Sequence, residues 1–242
     1  MDSYVYQDLQ ELQEQHWWFR ARREILSEVI HSLALPANCD ILEIGCGTGG
    51  NLSMLGGFGN VCGMEMHEEA AQYAQKITGK DVRTGFLPGN IPFEKKFDLI
   101  CLLDVLEHIE DDEIAVRSLR RLLKPGGRTV ITVPAYQWMF GRHDTLLHHF
   151  RRYSRKRLEV IFSNNNIEIE KLSYFNTLML PIAIMAHITD TVTSGEKCTG
   201  YETPAKWINY LFYQVFRLER FVICKLSTPF GCSLLLVSKP IS

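Results

Sequence analysis

The sequence predicts an α/β protein built on a doubly wound, mostly parallel sheet, and three observations carry that expectation. Short apolar runs of strand length alternate with segments of helical periodicity between residues 40 and 133. Alternation of this kind implies parallel strands joined by crossover helices. The first run ends in a glycine-rich turn, Gly45-Cys46-Gly47-Thr48-Gly49-Gly50, that opens a helix. A chain of 242 residues with 46% hydrophobic content can also bury the core that such a domain needs.

The elements follow in order. Residues 5–34 read as helix, because Ile25, Leu26, Val29, Ile30 and Leu33 recur at helical spacing before Pro36 ends the segment. Strands are predicted at 40–45, 60–66, 81–84, 97–103 and 128–133, with helices at 50–56, 68–77 and 111–123. Ile167 to Tyr174 and Ser233 to Val237 read as two further strands. The roughly 55 residues between them exceed most structureless loops, so helices are expected there at 177–190 and 204–226. One domain results: a helical cap over 1–36, a core over 37–176, a helical lid over 177–232 and a last strand over 233–242.

Bulk properties exclude several classes. A net charge of -2 argues against general nucleic-acid binding. Seven cysteines without a C-x-x-C pair read as reduced thiols rather than a disulfide framework. Met1-Asp2-Ser3-Tyr4 lacks a basic and then apolar leader, so a cytoplasmic location is expected. The apolar run Leu178 to Ala186 is too short to span a bilayer, which takes about 20 residues. It reads either as a buried helix or as a peripheral membrane contact through 177–190. No obligate protein partner is evident.

The chemistry begins at Glu43. The turn satisfies G-x-G-x-x-G, which alone admits a dinucleotide. A carboxylate two residues before Gly45 would oppose a pyrophosphate but attract a sulfonium and an ammonium. The glycines at 45, 47 and 49 allow close backbone approach, and Glu65 lies 20 residues beyond Gly45, where an acid reaches ribose hydroxyls. Phe97 to Ile109 then reads as a buried strand running into a turn, and Leu122-Leu123-Lys124-Pro125-Gly126-Gly127 closes a helix before the fifth strand.

Together with the Glu43 loop, these motifs resemble the class I S-adenosylmethionine-dependent methyltransferases over residues 38–135. The resemblance implies a Rossmann-like sheet of seven strands with an antiparallel last strand. It implies S-adenosyl-L-methionine as cofactor and S-adenosyl-L-homocysteine as product. It places Glu43, Gly45, Cys46, Gly47, Gly49, Asn51, Glu65, Met66, Gly85, Phe86, Asp104, Val105 and Leu106 around that cofactor. Phe19 and Arg22 would close over its methionine end, with Arg22 meeting the carboxylate.

On the acceptor side, strand C-terminal ends gather ligands, which singles out Asp104, Glu107 and His108. A second cluster runs from Arg142-His143-Asp144 through His148-His149 to Tyr153. A neutral imidazole can take a hydroxyl proton near pH 7, so His108, His143, His148 and His149 are the candidate bases, with an aspartate to orient one. No zinc pattern such as H-E-x-x-H is present, and no metal is expected. Arg151, Arg152, Arg155, Lys156 and Arg157 form one basic run that would suit an anionic acceptor. The expected activity is methyl transfer to a small-molecule or lipid-linked glycan acceptor at oxygen. The alternatives are an NAD(P)-dependent oxidoreductase and a non-catalytic cofactor-binding or membrane-docking module.

Overall fold

The computed structural model describes residues 10–192 and 203–241. A helical turn at residues 10–15 precedes α1 (Trp17–Ser32). The predicted continuous helix is therefore broken at His16, whose extended backbone and side-chain acceptance from the Trp18 N–H start a new helix. Then follow β1 (Cys39–Ile44), α2 (Leu52–Gly56), β2 (Gly59–Glu65), α3 (Glu68–Thr78), β3 (Asp81–Thr84) and β4 (Phe97–Leu103). After them come α4 (Asp112–Leu122), β5 (Leu123–Pro134), α5 (Arg142–Leu146), α6 (Arg155–Asn164) and β6 (Ile167–Phe175). The lid carries α7 (Leu180–Val192), α8 (Lys206–Arg217) and α9 (Arg220–Ile223), and β7 (Ser233–Pro240) ends the sheet.

The seven strands lie in the order β3-β2-β1-β4-β5-β7-β6. β7 runs antiparallel to β5 and β6, while β1 to β5 pair in parallel. The connections reverse direction between β1 and β4, which makes the ends of those strands the topological switch point where such sheets take ligands. β5 starts earlier than its sequence predicts. Leu123 already pairs with Phe97, Leu99 pairs next with Arg128, and the intervening residues bulge. Lys124 ties that bulge to Asp98 and Asp40 at 2.7 Å each.

Side chains alternate across each strand, so the sheet has two dry faces. Leu42, Ile44, Ile100, Leu102 and Ile131 pack with α4 and α6. Ile41, Leu99, Cys101 and Val130 pack with Ile25, Leu26 and Val29 of α1 and with Phe216 of α8. The lid is anchored to the first helix as well as to the sheet, through Glu24 bonding Tyr213, Arg217 and Arg220. Its entry is fixed by buried Glu219, which accepts from the N–H groups of Asn176 (2.7 Å), Thr177 (2.7 Å) and Leu178 (3.2 Å). Phe175 pairs with Ser233 where the lid leaves and rejoins the sheet. No helix among the described residues is long and apolar enough to cross a membrane.

The turn after β1 distinguishes its glycines. Gly45 has φ +70°, and a Cβ there would meet Val105 Cγ2 at 2.5 Å. Gly47 has φ +54°, and a Cβ there would meet nothing within 4 Å. Both alanine variants incur the left-handed penalty of about 1–2 kcal/mol, but only Gly45→Ala also overpacks the turn, at about 1–3 kcal/mol. Urea denaturation should therefore show Gly45→Ala as the less stable variant by roughly 1 kcal/mol or more. Equal losses would mean that the turn does not pack against Val105.

Candidate active site

The carboxylate of Glu43 is placed by strand periodicity. Cys39 and Ile41 of β1 face α1, and Glu43 turns to the same side at the strand's end, 1% exposed. Asn51 Nδ2 donates to its Oε1 at 2.7 Å, while its Oε2 is buried with no hydrogen-bond partner. Burial pushes its carboxyl up to about 7, against the Asn51 bond and the charge of Arg22. Glu65 ends β2 and bridges two turns, accepting from the N–H of Gly47 and from that of His67 at 3.0 Å each. Beside it the apolar side chains of Met66 and Phe86 are exposed. The Gly85 N–H donates to the Glu65 carbonyl at 2.9 Å.

Two of the predicted cofactor residues, Cys46 and Leu106, are buried. Cys46 is buried behind the turn, within 2.8 Å of where a Gly63 Cβ would stand, and burial raises its thiol. Leu106 is fully buried in the core. The N-terminal segment straps the turn from outside, with Thr48 donating to Gln13 at 3.2 Å and Tyr73 to Gln10 at 2.8 Å.

Arg22 is held within the protein. It pairs with Asp104 at 2.7 Å, donates to Thr132 at 2.9 Å and lies 4.8 Å from the Trp18 ring, while its buried Nε has no partner. Asp104 itself adopts φ +58° at the end of β4. Phe19 packs edge-on to Trp18, with ring centroids 4.9 Å apart.

Beyond the ends of β4 and β5 lies a cavity of about 660 Å³. Trp17 and Trp18 wall one side and Met179, Ala183 and Phe212 of the lid another. Its polar end is organised by Asp144, which is 0% exposed. Asp144 accepts from the Gly141 N–H at 2.9 Å, from Arg152 Nε at 2.8 and 3.0 Å, and lies 2.8 Å from His149 Nδ1. Burial alone would raise its carboxyl, but the bonds from His149 and Arg152 outweigh it and hold it well below the usual range. Glu107, also 0% exposed, lacks a partner on either oxygen. Burial first, and then Asp104's charge, push its carboxyl well up. His108 opens onto the cavity, yet desolvation by the surrounding protein and the neighbouring His149 lower it to about 4, so its ring is neutral at pH 7.

Three of the four candidate histidines come together. The His108 and His149 ring centroids are 4.6 Å apart, and those of His143 and His149 6.4 Å. His148, at φ +57°, is not among the cavity-lining residues. The sequence suggests an aspartate orienting an adjacent imidazole; Asp144 instead holds His149, five positions on, because α5 turns the chain back. Cavity-lining His187 escapes a reading of the sequence, its one signal being a polar ring in an apolar helix.

The basic run is committed elsewhere. Arg151 and Arg157 pair with Asp112 at 3.0 and 2.8 Å, Arg155 donates to the Leu172 carbonyl at 2.8 Å, and Arg152 pairs with Asp144. These arginines secure loops, and Arg152 is the member of the run that lines the cavity.

A family model described as a methyltransferase domain matches residues 18–172. A Mycolicibacterium smegmatis protein described as a probable S-adenosylmethionine-dependent methyltransferase is 26% identical over 66% of this chain and 62% of its own length. A ubiquinone biosynthesis O-methyltransferase of Pseudomonas entomophila is 34% identical over 36% of this chain and 41% of that protein. The chain thus spans less than two thirds of the length of these curated relatives. Among solved structures, geranyl diphosphate C-methyltransferase from Streptomyces coelicolor superposes with a TM-score of 0.60 at 14% identity. That match covers 89% of this chain and 78% of the other, and it shows the shared fold.

The Glu43 environment generates a pH test. Its folded pKa, about 7, stands above the ordinary 4.5. The stability this group contributes is therefore complete below 4.5 and lost as pH rises through 7. The ligand-free protein should lose about 3 kcal/mol from this site between pH 4.5 and 8. Glu43→Gln should flatten that part of the profile and raise the thermal midpoint at pH 8. A midpoint at pH 8 that falls in the variant would show that the ionised carboxylate is compensated.

Proposed function

We propose a reaction from a premise that the family match establishes: the chain belongs to the S-adenosylmethionine-dependent methyltransferases. The reaction is methyl transfer to a hydroxyl oxygen of an acceptor seated in the cavity beneath the lid. The observation that carries the oxygen assignment is His149, oriented by a buried Asp144 at the polar end of that cavity.

The residues present fit the family's cofactor. Its amino-acid end bears an ammonium and a carboxylate, and the site holds a buried acceptor and a buried donor without partners, Glu43 Oε2 and Arg22 Nε. The space beyond Gly47 admits close backbone approach, and Glu65 with exposed Met66 and Phe86 suits a ribose and an adenine face. Bound there, the cofactor supplies an electrophilic methyl group on a sulfonium.

The chain's own work is mainly alignment, which can provide most of the acceleration of an in-line transfer. The lid and the two tryptophans wall the acceptor's seat. His149 accepts the hydroxyl proton on the ring nitrogen that does not face Asp144, and the carboxylate stabilises the resulting imidazolium. An apolar wall facing a polar end suits an amphiphilic acceptor with a hydroxyl on an otherwise apolar body. The name of one relative, a ubiquinone biosynthesis O-methyltransferase, supports oxygen as the methylated atom. Exposed Leu178, Met185 and Ile188 on the lid favour collection of such an acceptor at a lipid surface.

Calorimetry should show micromolar binding of S-adenosylmethionine and of its demethylated product. Glu65→Ala should weaken both at least tenfold, since bonds to a charged acceptor contribute about 1.5–3 kcal/mol. Tighter binding of a nicotinamide dinucleotide would reject the family's cofactor for this chain. Labelled-methyl transfer into a lipid and metabolite extract identifies the acceptor. Against that acceptor His149→Gln should lower turnover by about 10²–10⁴ while cofactor affinity holds. Parental turnover in that variant would remove His149 from the reaction.

A further inference from the structure

We propose that Glu107, His108 and His149 form a binding site for a divalent transition-metal ion at the polar end of the cavity. One donor atom from each residue lies within 4.8 Å of the other two. Ligand atoms on a tetrahedral ion stand about 3.3 Å apart, given bonds of about 2.0–2.1 Å. Binding an ion therefore draws the three side chains inward from that spacing.

The burial of Glu107 is the second, independent observation. A polar side chain that is 0% exposed, with both oxygens unpartnered, is costly without a ligand and directs its acceptor capacity at the cluster. A cation between it and the two imidazoles satisfies it. The frame is built in advance. The Phe150 N–H donates to the Glu107 carbonyl at 2.8 Å, joining the loop of His149 to the turn of Glu107 and His108. Asp144 at 2.8 Å from Nδ1 sets the tautomer of His149 and leaves Nε2 to ligate, as carboxylates commonly do behind metal-bound histidines.

Two imidazole nitrogens and one carboxylate oxygen suit zinc, cobalt or nickel rather than magnesium or calcium, which prefer oxygen shells. Three protein ligands leave a fourth position open toward the cavity. The inference rests on the reading that this cavity seats a hydroxyl acceptor, and it reassigns only the proton. The acceptor oxygen takes the open position, its O–H bond breaks with the proton passing to bulk water, and the oxygen keeps the electron pair for attack. With an ion bound, Nε2 of His149 is a ligand; in the ion-free protein the same nitrogen is the proton acceptor.

Chelator-dialysed full-length protein, without acceptor, is titrated with cobalt(II) and with zinc by calorimetry and visible absorption. One ion per chain at micromolar affinity or tighter is expected, with the absorption of four-coordinate cobalt. Glu107→Gln and His149→Gln should each weaken binding at least tenfold, and Asp144→Asn by about 10–100-fold. His31→Gln, on the far end of α1, should leave binding unchanged. Circular dichroism confirms folding; Glu107→Gln keeps the size and polarity of a buried carboxyl group and should not unfold the chain. Absence of stoichiometric binding, or binding that survives both ligand variants, overturns the site. Full methyl transfer by the chelated protein overturns the ion's part in the reaction while leaving hydroxyl methylation standing. Absence of transfer with and without ion, despite cofactor binding, counts against the acceptor reading, and the ion titration then decides the metal site alone.

Discussion

The ion pair between Arg22 and Asp104 joins the parts of this molecule that must be in register. Arg22 comes from the cap helix, Asp104 from the end of β4, and Thr132 from β5 receives a second bond from the same guanidinium. Arg22 is buried and Asp104 partly exposed, so loss of Asp104 would leave a buried guanidinium without its carboxylate. A parallel sheet brings its strand ends to one edge, and here those ends carry Glu43, Glu65, Asp104 and Glu107. Arg22 lowers the cost of ionisation at both Glu43 and Glu107. The cap is therefore part of the electrostatics of the cleft.

The two halves of the cleft handle burial in opposite ways. On the cofactor side, Glu43 and Arg22 each keep one polar atom unsatisfied, a cost that a zwitterionic ligand relieves. On the acceptor side, Asp144 is fully satisfied and rigid, which lets it fix His149, while neighbouring Glu107 is wholly unsatisfied. Gln13 holds the helical turn of residues 10–15 against Thr48 of the glycine turn, and Gln10 holds it against Tyr73 of α3.

Local chemistry makes much of this visible in the sequence. β4 lies at its predicted residues because an apolar run bounded by turn residues has few other solutions. Glu43, Glu65 and the glycines are legible because a carboxylate beside such a turn has an electrostatic meaning wherever it folds. What escapes depends on contacts distant in sequence. β5 begins early because Leu123 finds Phe97 across a bulge, which no local pattern encodes. The basic run looks available along the chain, whereas Asp112 and Asp144 hold most of it in the fold. The grouping of Glu107 and His108 with His149 spans some forty residues and arises only from the return of the chain through α5. Spacing rules for metal motifs presume one helix or one loop, and such a cluster lies outside them.

The pairing of Phe175 with Ser233 has an evolutionary consequence. All chain between those two residues leaves and re-enters the sheet at adjacent rungs of one ladder, so its length does not alter the register of any strand. The entropy of closing a loop grows only slowly with its size. The length of this segment can thus change without shifting any strand, provided that Tyr213 and Phe216 still cover their face of the sheet. Glu219, which seals the entry by capping three amides, travels with the segment it secures. Diversification of what is modified can then proceed separately from inheritance of the methyl donor.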